Sequence, residues 1–184
     1  KKCLVEKFID GRMIDVNGFF DLNGEFHCLG IFERNFDKNF PSEVSAVYPA
    51  HISEKLYNEA SKITELSLRS LGINFGPVKS DLILHRDKFF VLEVANRLHG
   101  PKSFELYSLS NGSNHLDIIL NSISNNKLIN TKPTNKVACF SIRPKQKNMK
   151  KITLKNKHFY TKYYNKFEFK ENYFNNTDII GSIF

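Results

Sequence analysis

The sequence predicts an α+β fold in which an antiparallel sheet is flanked by helices, and two patterns carry that prediction. Several segments alternate apolar and polar residues between short turn signals, which is typical of strands joined by hairpins. One longer segment repeats apolar residues every three or four positions, which is typical of a helix with one buried face. A chain of 184 residues is long enough to bury a core without disulfide or metal support.

The first segments predict an antiparallel meander of three strands. The strands are Cys3–Ile9, Met13–Phe20 and Phe26–Phe32. Asp10-Gly11 and Leu22-Asn23-Gly24 separate them and are typical turn sequences. The stretch from Asn35 to Tyr48 is polar, with few periodic apolar residues, and is predicted to be a loop.

A helix is predicted over residues 53–71. Ser53 is a favourable N-cap, no helix breaker follows until Gly72, and Gly72 suits the C-terminal cap. The expected buried stripe consists of Leu56, Ala60, Ile63, Leu66 (or Ser67) and Leu71. This helix would cover one face of the sheet.

The remaining chain predicts a hairpin, a second helix and a C-terminal extension rich in strands. Val78–Leu84 and Phe89–Ala95 flank a polar turn, and Gly100-Pro101 is read as a break after the hairpin. The second helix is expected over residues 114–124, and a new strand over Val137–Ile142. We expect two domains, residues 1–128 and 129–184.

Charge and composition limit the function classes. The net charge is +8, and the stretch from Arg143 to Lys166 holds nine Lys or Arg and no Asp or Glu. Aromatic residues interleave with these cations, so the stretch would suit a nucleic acid, other anions or simply a solvated face. No apolar run suits a membrane span or a secretory signal, and three dispersed cysteines suit reduced thiols, so we expect a cytoplasmic protein.

The hairpin carries the most informative pattern. If its turn has three residues centred on Asp87, Asp81 lies directly opposite Glu93. Two ionised carboxylates at paired positions repel each other unless a cation lies between them, and Mg²⁺ favours such oxygen ligands. Glu93 and Arg97 share one face by two-residue periodicity, so Arg97 could hold a phosphate that the metal also touches. With the register shifted by one residue, the two carboxylates would instead face water at a sheet edge, and a two-residue turn would put them on opposite faces.

The same residues resemble a family signature. The run from Phe90 to Gly100 resembles the apolar-apolar-Glu-apolar-x-x-Arg-x-x-Gly pattern of ATP-grasp enzymes, and the strand carrying Asp81 resembles the preceding strand of that family, with its acidic residue twelve positions earlier. Leu4–Gly11 resembles the strand and hinge that hold adenine. Tyr48-Pro49-Ala50 and Thr177–Gly181 resemble the carboxylate–amine ligase branch, which includes L-amino-acid ligases and carbamoyl-phosphate-synthase-like proteins.

The resemblance implies the second, nucleotide- and metal-binding half of an ATP-grasp domain. Asp81 and Glu93 would bind Mg²⁺, for which Mn²⁺ can substitute, and Arg97 would neutralise the transferred phosphoryl group. ATP would be held by the hinge and by an apolar residue against the adenine ring. These cofactor-binding residues would be Glu6, Lys7, Phe8, Ile9 and Ile83.

Three positions depart from the family pattern. Ala95 stands where the family often has an Asn metal ligand, and Asn96 could replace it only at a bulge. Asp81 is shorter than the more frequent Glu. Met13 stands at the usual acidic ribose contact, for which Asp15 is a weak substitute.

The resemblance further implies an ATP-dependent ligase that activates a small carboxylate as an acyl phosphate for attack by an amine. No Gly-rich phosphate loop occurs in the sequence, so we expect the first half of the module to be supplied in cis or in trans and this fragment alone to be inactive. His99, His115, Arg34 and Lys38 are further candidates for substrate contacts. The alternatives are a non-catalytic relic that binds nucleotide or a partner subunit, and a basic nucleic-acid-binding module.

Overall fold

The computed structural model describes residues 2–37, 43–125, 132–142, 161–163 and 181–183. The helices in these ranges are α1 (Glu54–Ser70), α2 (Pro101–Asn111) and α3 (His115–Asn125). The strands are β1 (Arg12–Phe20), β2 (Phe26–Phe36), β3 (Glu43–Tyr48), β4 (Gly76–His85), β5 (Lys88–Ala95), β6 (Val137–Ile142), β7 (Thr161–Tyr163) and β8 (Gly181–Ile183). Within the described ranges, no helix has the length and hydropathy that a membrane crossing requires.

The described strands form one sheet in the order β5-β4-β1-β2-β3-β6-β8-β7. Every neighbouring pair is antiparallel. The predicted α+β class with an antiparallel sheet flanked by helices is therefore confirmed. β6 pairs with β3, so the predicted C-terminal strand continues the sheet.

The meander is correct for two of its three predicted strands. β1 and β2 flank a turn in which Gly24 takes a φ of 75°, a conformation that glycine adopts without strain. The predicted strand Cys3–Ile9 is wrong, because residues 2–10 have no regular structure. Val5 and Phe8 are 90% and 85% exposed, so no described strand covers these β-prone residues.

The predicted loop from Asn35 to Tyr48 is also wrong at its two ends. β2 continues to Phe36, and Glu43–Tyr48 forms β3. Both Glu43 and Ser45 are buried in that strand, so polar residues occupy positions where the sequence pattern leads one to expect apolar ones.

α1 confirms the predicted helix and its start. The Ser53 side chain accepts a hydrogen bond from the Leu56 amide, and Gly72 follows the last turn with a φ of 77°. The buried stripe differs from the prediction, since Leu66 and Leu71 are exposed. Its fully buried members are Ala60, Thr64 and Leu68.

The second predicted helix is confirmed as α3, but α2 was missed. Gly100-Pro101 was read as a break, whereas Gly100 is the N-cap of α2 and Pro101 occupies its first turn. Proline is tolerated there because the first amides of a helix have no intrahelical acceptor. The pair therefore starts a helix here.

The sheet is covered on both faces. On one face, Ile14, Val16 and Leu82 pack with Ala60 of α1. On the opposite face, Phe32 and Tyr48 pack with Tyr107 of α2 and Ile118 of α3. The charged residues described below lie on this second face, beside the aromatic cluster.

Candidate active site on the charged face of the sheet

The β4–β5 hairpin brings Asp81 and Glu93 opposite each other, as predicted, but by a different route. The turn has two residues, Arg86 and Asp87, both with positive φ, which is the geometry of a tight hairpin turn. Such a turn alone would pair Asp81 with Leu92. A β-bulge leaves Leu92 unpaired, shifts the register by one residue and places Glu93 on the face of Asp81.

Asp15 of β1 extends this acidic row. It pairs with Asp81 across the β1–β4 ladder, and its side chain is fully buried. A buried carboxylate needs compensating partners. Two are present: Arg34 Nη1 lies 3.1 Å from Asp15 Oδ2, and His99 Nε2 lies 2.6 Å from the same oxygen.

Arg34 connects three carboxylates on this face. Besides Asp15, its Nε donates to Glu43 at 2.8 Å, and its Nη1 lies 3.9 Å from Asp81 Oδ2. Burial disfavours the charged guanidinium, but Asp15, Glu43 and Asp81 outweigh that cost and raise the pKa of Arg34. The cation is therefore held in place by several carboxylates at once.

Lys79 lies at the other end of the row. Its Nζ donates to Asp81 Oδ2 at 2.7 Å and lies 3.1 Å from Glu93 Oε1. The Lys79 side chain is only 5% exposed, whereas Glu93 is 57% exposed. The ammonium thus approaches the carboxylate pair from the protein interior, and Glu93 faces solvent.

A second lysine, Lys102, lies on the far side of the site. Lys102, in the first turn of α2, contacts Glu43 at 3.1 Å and donates to Ser141 of β6 at 2.7 Å. Ser141 in turn donates to the Glu43 carbonyl. The site face is therefore connected from the hairpin to β6 by charged and polar contacts.

The donor set fits a divalent cation at Asp81 and Glu93. Asp81 Oδ1 is buried and accepts no hydrogen bond from the described residues. Since a buried carboxylate oxygen is normally paired, this atom is left to accept a ligand. Asp15, Asp81 and His99 also lie close enough to share a cation, but the Arg34 guanidinium already contacts Asp15 there.

The other predicted hairpin residues are placed differently. Arg97 follows the end of β5 and stays at the site, with its Nη2 4.0 Å from Glu93 Oε1. Asn96 does not replace the missing ligand at Ala95, because its Nδ2 donates to the carbonyls of Phe75 and Pro77. The bulge lies at Leu92 and not at Asn96.

The predicted adenine-binding residues fall into two groups. Ile83 is half-buried and lies on the face of Asp81, opposite Met13. The hinge residues Glu6, Lys7 and Phe8 are exposed, and Ile9 is partly buried. Their role stays a prediction.

The two predicted histidines have different surroundings. His99 contacts Asp15 at the site, whereas His115 is buried among Phe32, Phe104 and Tyr107. Burial, with a smaller contribution from the charge of His99, lowers the pKa of His115 to about 3. His115 is therefore a neutral residue of the aromatic core at ordinary pH.

Several site residues were missed by sequence reasoning. Glu43 and Lys102 carry no signal of their own in the sequence. Arg34 is among the predicted candidates, but it lies in β2 and not in the predicted loop. The charge of Lys79 at an inward-facing strand position was the one available clue. Lys38, residues 177–180 and most of the basic stretch 143–166 lie outside the described residues.

Comparison with known proteins gives a family-model match over residues 1–105, to the ATP-grasp domain. A curated D-alanine–D-alanine ligase from Wigglesworthia glossinidia brevipalpis is 29% identical over 113 residues, which are 58% of this chain and 32% of that protein. The chain thus spans about a third of the length of this curated relative.

Solved structures show the same relationship. An L-amino acid ligase from Bacillus licheniformis matches at 25% identity and a TM-score of 0.63, over 73% of this chain and 36% of that one. A phosphoribosylglycinamide synthetase from Anaerococcus prevotii shares the fold, with a TM-score of 0.76 at 16% identity, over 96% of this chain and 48% of that one. With more than half of its residues matched by the family model, the chain belongs to the ATP-grasp family.

Proposed function

We propose that the chain forms the nucleotide- and metal-binding half of an ATP-dependent carboxylate–amine ligase. The observation that carries the proposal is the cross-strand pair Asp81–Glu93, whose buried Asp81 Oδ1 lacks a hydrogen-bond partner in the described chain. Residues 1–128 would form this half, and residues 129–184 a β-rich extension. The ligases among the similar proteins support the reaction class.

In this proposal Asp81 and Glu93 hold Mg²⁺, or Mn²⁺ in its place. The metal would neutralise the phosphate oxygens of ATP. Arg97, beside Glu93 and more than half exposed, would bind the phosphoryl group and neutralise its charge. Catalysis is then mainly positioning and charge neutralisation, because phosphoryl transfer needs little covalent help from the protein.

The adenine ring would contact the hinge and the site face of β4. Glu6 would accept from the adenine amino group, and the backbone of Lys7 and Ile9, with Phe8 between them, would read its edge. Ile83 would pack against the ring. The high exposure of Phe8 is consistent with a surface that a ligand covers.

The substrates would be a small carboxylate and an amine. The first half of the ATP-grasp module, in cis or in trans, would supply the remaining phosphate contacts, and this chain alone would be inactive. We expect a reducing compartment such as the cytoplasm, because the three cysteines are widely spaced in the sequence.

The test is ADP release by the full-length protein against pooled amino acids and small carboxylates. We expect substrate-dependent ADP release. Glu93→Gln should lower its rate at least about a hundredfold, since the substitution removes the charged carboxylate of a proposed metal ligand. Glu59→Gln, on the exposed side of α1, is the matched control and should retain release.

Two alternatives predict other results. A relic would bind nucleotide but release no ADP with any substrate, and Met13 and Ala95 favour that outcome slightly. A nucleic-acid-binding module would instead bind oligonucleotides with a steep dependence on salt.

A further inference from the structure

The carboxylate pair of the proposed metal site already has a cation of its own. Lys79 Nζ lies 2.7 Å from Asp81 and 3.1 Å from Glu93, and among the described residues no other cationic group lies within 4.0 Å of both. Arg34 approaches only Asp81 of the two, and Arg97 approaches only Glu93. Lys79 therefore occupies the position between the two carboxylates.

The strand register explains this position. Lys79 lies two residues before Asp81 on β4, on the same face, and directly opposite Ala95 of β5. Ala95 contributes only a methyl group, so it neither pairs with the ammonium nor fills the space beside it. The long stem of Lys79 is buried, while its terminal donors can rotate between acceptors.

We propose that the Lys79 ammonium occupies the metal position between Asp81 and Glu93, and that it is displaced from this position when divalent metal and nucleotide bind together. This inference rests on the proposed function, because it concerns the regulation of the same site. Without nucleotide, metal and ammonium compete for the same carboxylate oxygens, so metal binding alone is weak. Phosphate oxygens offer the displaced ammonium a new partner, so nucleotide strengthens metal binding.

Coulomb's law gives the direction of each effect. A divalent ion between Asp81 and Glu93 would lie a few ångströms from a buried ammonium, and two like charges at that distance repel each other strongly in a partly buried site. Removing the ammonium removes this repulsion and frees the two carboxylates. Removing it also deprives a bound phosphate of one contact.

The experiment is a titration of the full-length protein with Mn²⁺, in which the electron paramagnetic resonance signal reports the free ion. Without nucleotide, we expect Lys79→Met to bind Mn²⁺ at least about tenfold more tightly than the wild-type protein. Lys79→Arg keeps the charge and should stay near the wild type. Lys88→Met removes an exposed lysine at the turn end of the same hairpin, away from the carboxylate pair, and should also stay near the wild type.

A second titration contains a non-hydrolysable ATP analogue. We expect the analogue to tighten Mn²⁺ binding more in the wild-type protein than in Lys79→Met, because only the wild type has an ammonium to transfer to phosphate. Equal or weaker Mn²⁺ binding by Lys79→Met without nucleotide, or an equal gain on adding the analogue, would overturn the inference. If Lys79→Met does not fold by circular dichroism, Lys79→Gln takes its place.

The two Mn²⁺ titrations, without and with the ATP analogue, together separate the proposed function from the proposed role of Lys79. If Glu93→Gln binds Mn²⁺ as the wild type does, the pair is not a metal site, and the proposed function fails with the inference. If Glu93→Gln loses Mn²⁺ while Lys79→Met leaves it unchanged, the metal site stands and only the role of Lys79 is wrong.

Discussion

The two faces of the sheet are buried in different ways. Toward α1, Ile14, Val16 and Leu82 form an apolar core whose stability comes from removing hydrocarbon from water. On the other face, Asp15 is equally buried, yet it is stabilised by Arg34 and His99. Ile14 and Asp15 are neighbours in β1, yet the first is stabilised by apolar burial and the second by ion pairs.

The difference shows how the sheet can carry both a core and a site. The alternation of a strand puts Ile14 and Asp15 on opposite faces, so a shift of one residue would bury the carboxylate in the apolar core. The apolar face tolerates volume-conserving changes. The charged face depends on its buried ion pairs, because a buried ion that loses its partner is costly.

The largest expected effect is on the charged face. Arg34→Met leaves Asp15 and Glu43 without their shared cation, and we expect it to lower the free energy of unfolding by about 3–5 kcal/mol in urea denaturation. Arg12 is the matched control, since it forms an ion pair with Glu33 but is 43% exposed. Arg12→Met should cost about 1 kcal/mol or less. Equal losses for the two arginines would contradict the contrast between the faces.

The apolar face should lose stability when a buried side chain is replaced by a smaller one. Leu82 is fully buried against β1 and α1, so Leu82→Ala should lower the free energy of unfolding by about 3 kcal/mol. Leu92, the half-exposed bulge residue of the same hairpin, is the control, and Leu92→Ala should change stability by less than about 0.5 kcal/mol. If urea denaturation gave similar losses of unfolding free energy for Leu82→Ala and Leu92→Ala, the face toward α1 would not be closely packed.

The smallest expected effect is the pH dependence of stability caused by His115, which lies in the aromatic cluster beside the charged residues. His115 has a folded pKa of about 3, below the ordinary value of 6.5, so the unfolded chain takes up a proton first as the pH falls. Stability should therefore be lost below about pH 6.5, by about 2 kcal/mol between pH 7 and pH 5. His115→Phe should remove that part of the loss, measured by urea denaturation at both pH values.

The exposed His51 supplies the comparison for that measurement. His51→Phe should leave the pH dependence unchanged. If His115→Phe keeps the same loss as the wild-type protein, the histidine is not buried in its neutral form.

The hairpin shows how a correct prediction can follow from a wrong assumption. The sequence placed Asp81 opposite Glu93 by assuming a three-residue turn, whereas the structure has a two-residue turn and a bulge at Leu92. A bulge has no dependable sequence signature, since any residue can be left unpaired. The twelve-residue interval between the carboxylates was the more reliable guide.

Local sequence patterns alone determined the elements that depend on residues close together in the chain. These are the β1–β2 turn, the Ser53 cap of α1 and the two strands of the hairpin. Side-chain periodicity and turn chemistry act over a few residues, so they can be read along the chain. The same local pattern overlooked β3 and misread Pro101.

Only the tertiary structure decided which charges meet. His99 and Asp15 are 84 positions apart in the chain, and Lys102 and Glu43 are 59 apart. Their contacts depend on strand order and on the placement of α2, which no local pattern encodes. Burial then selects the partners, because each carboxylate removed from water must find a cation or a donor on its own face of the sheet.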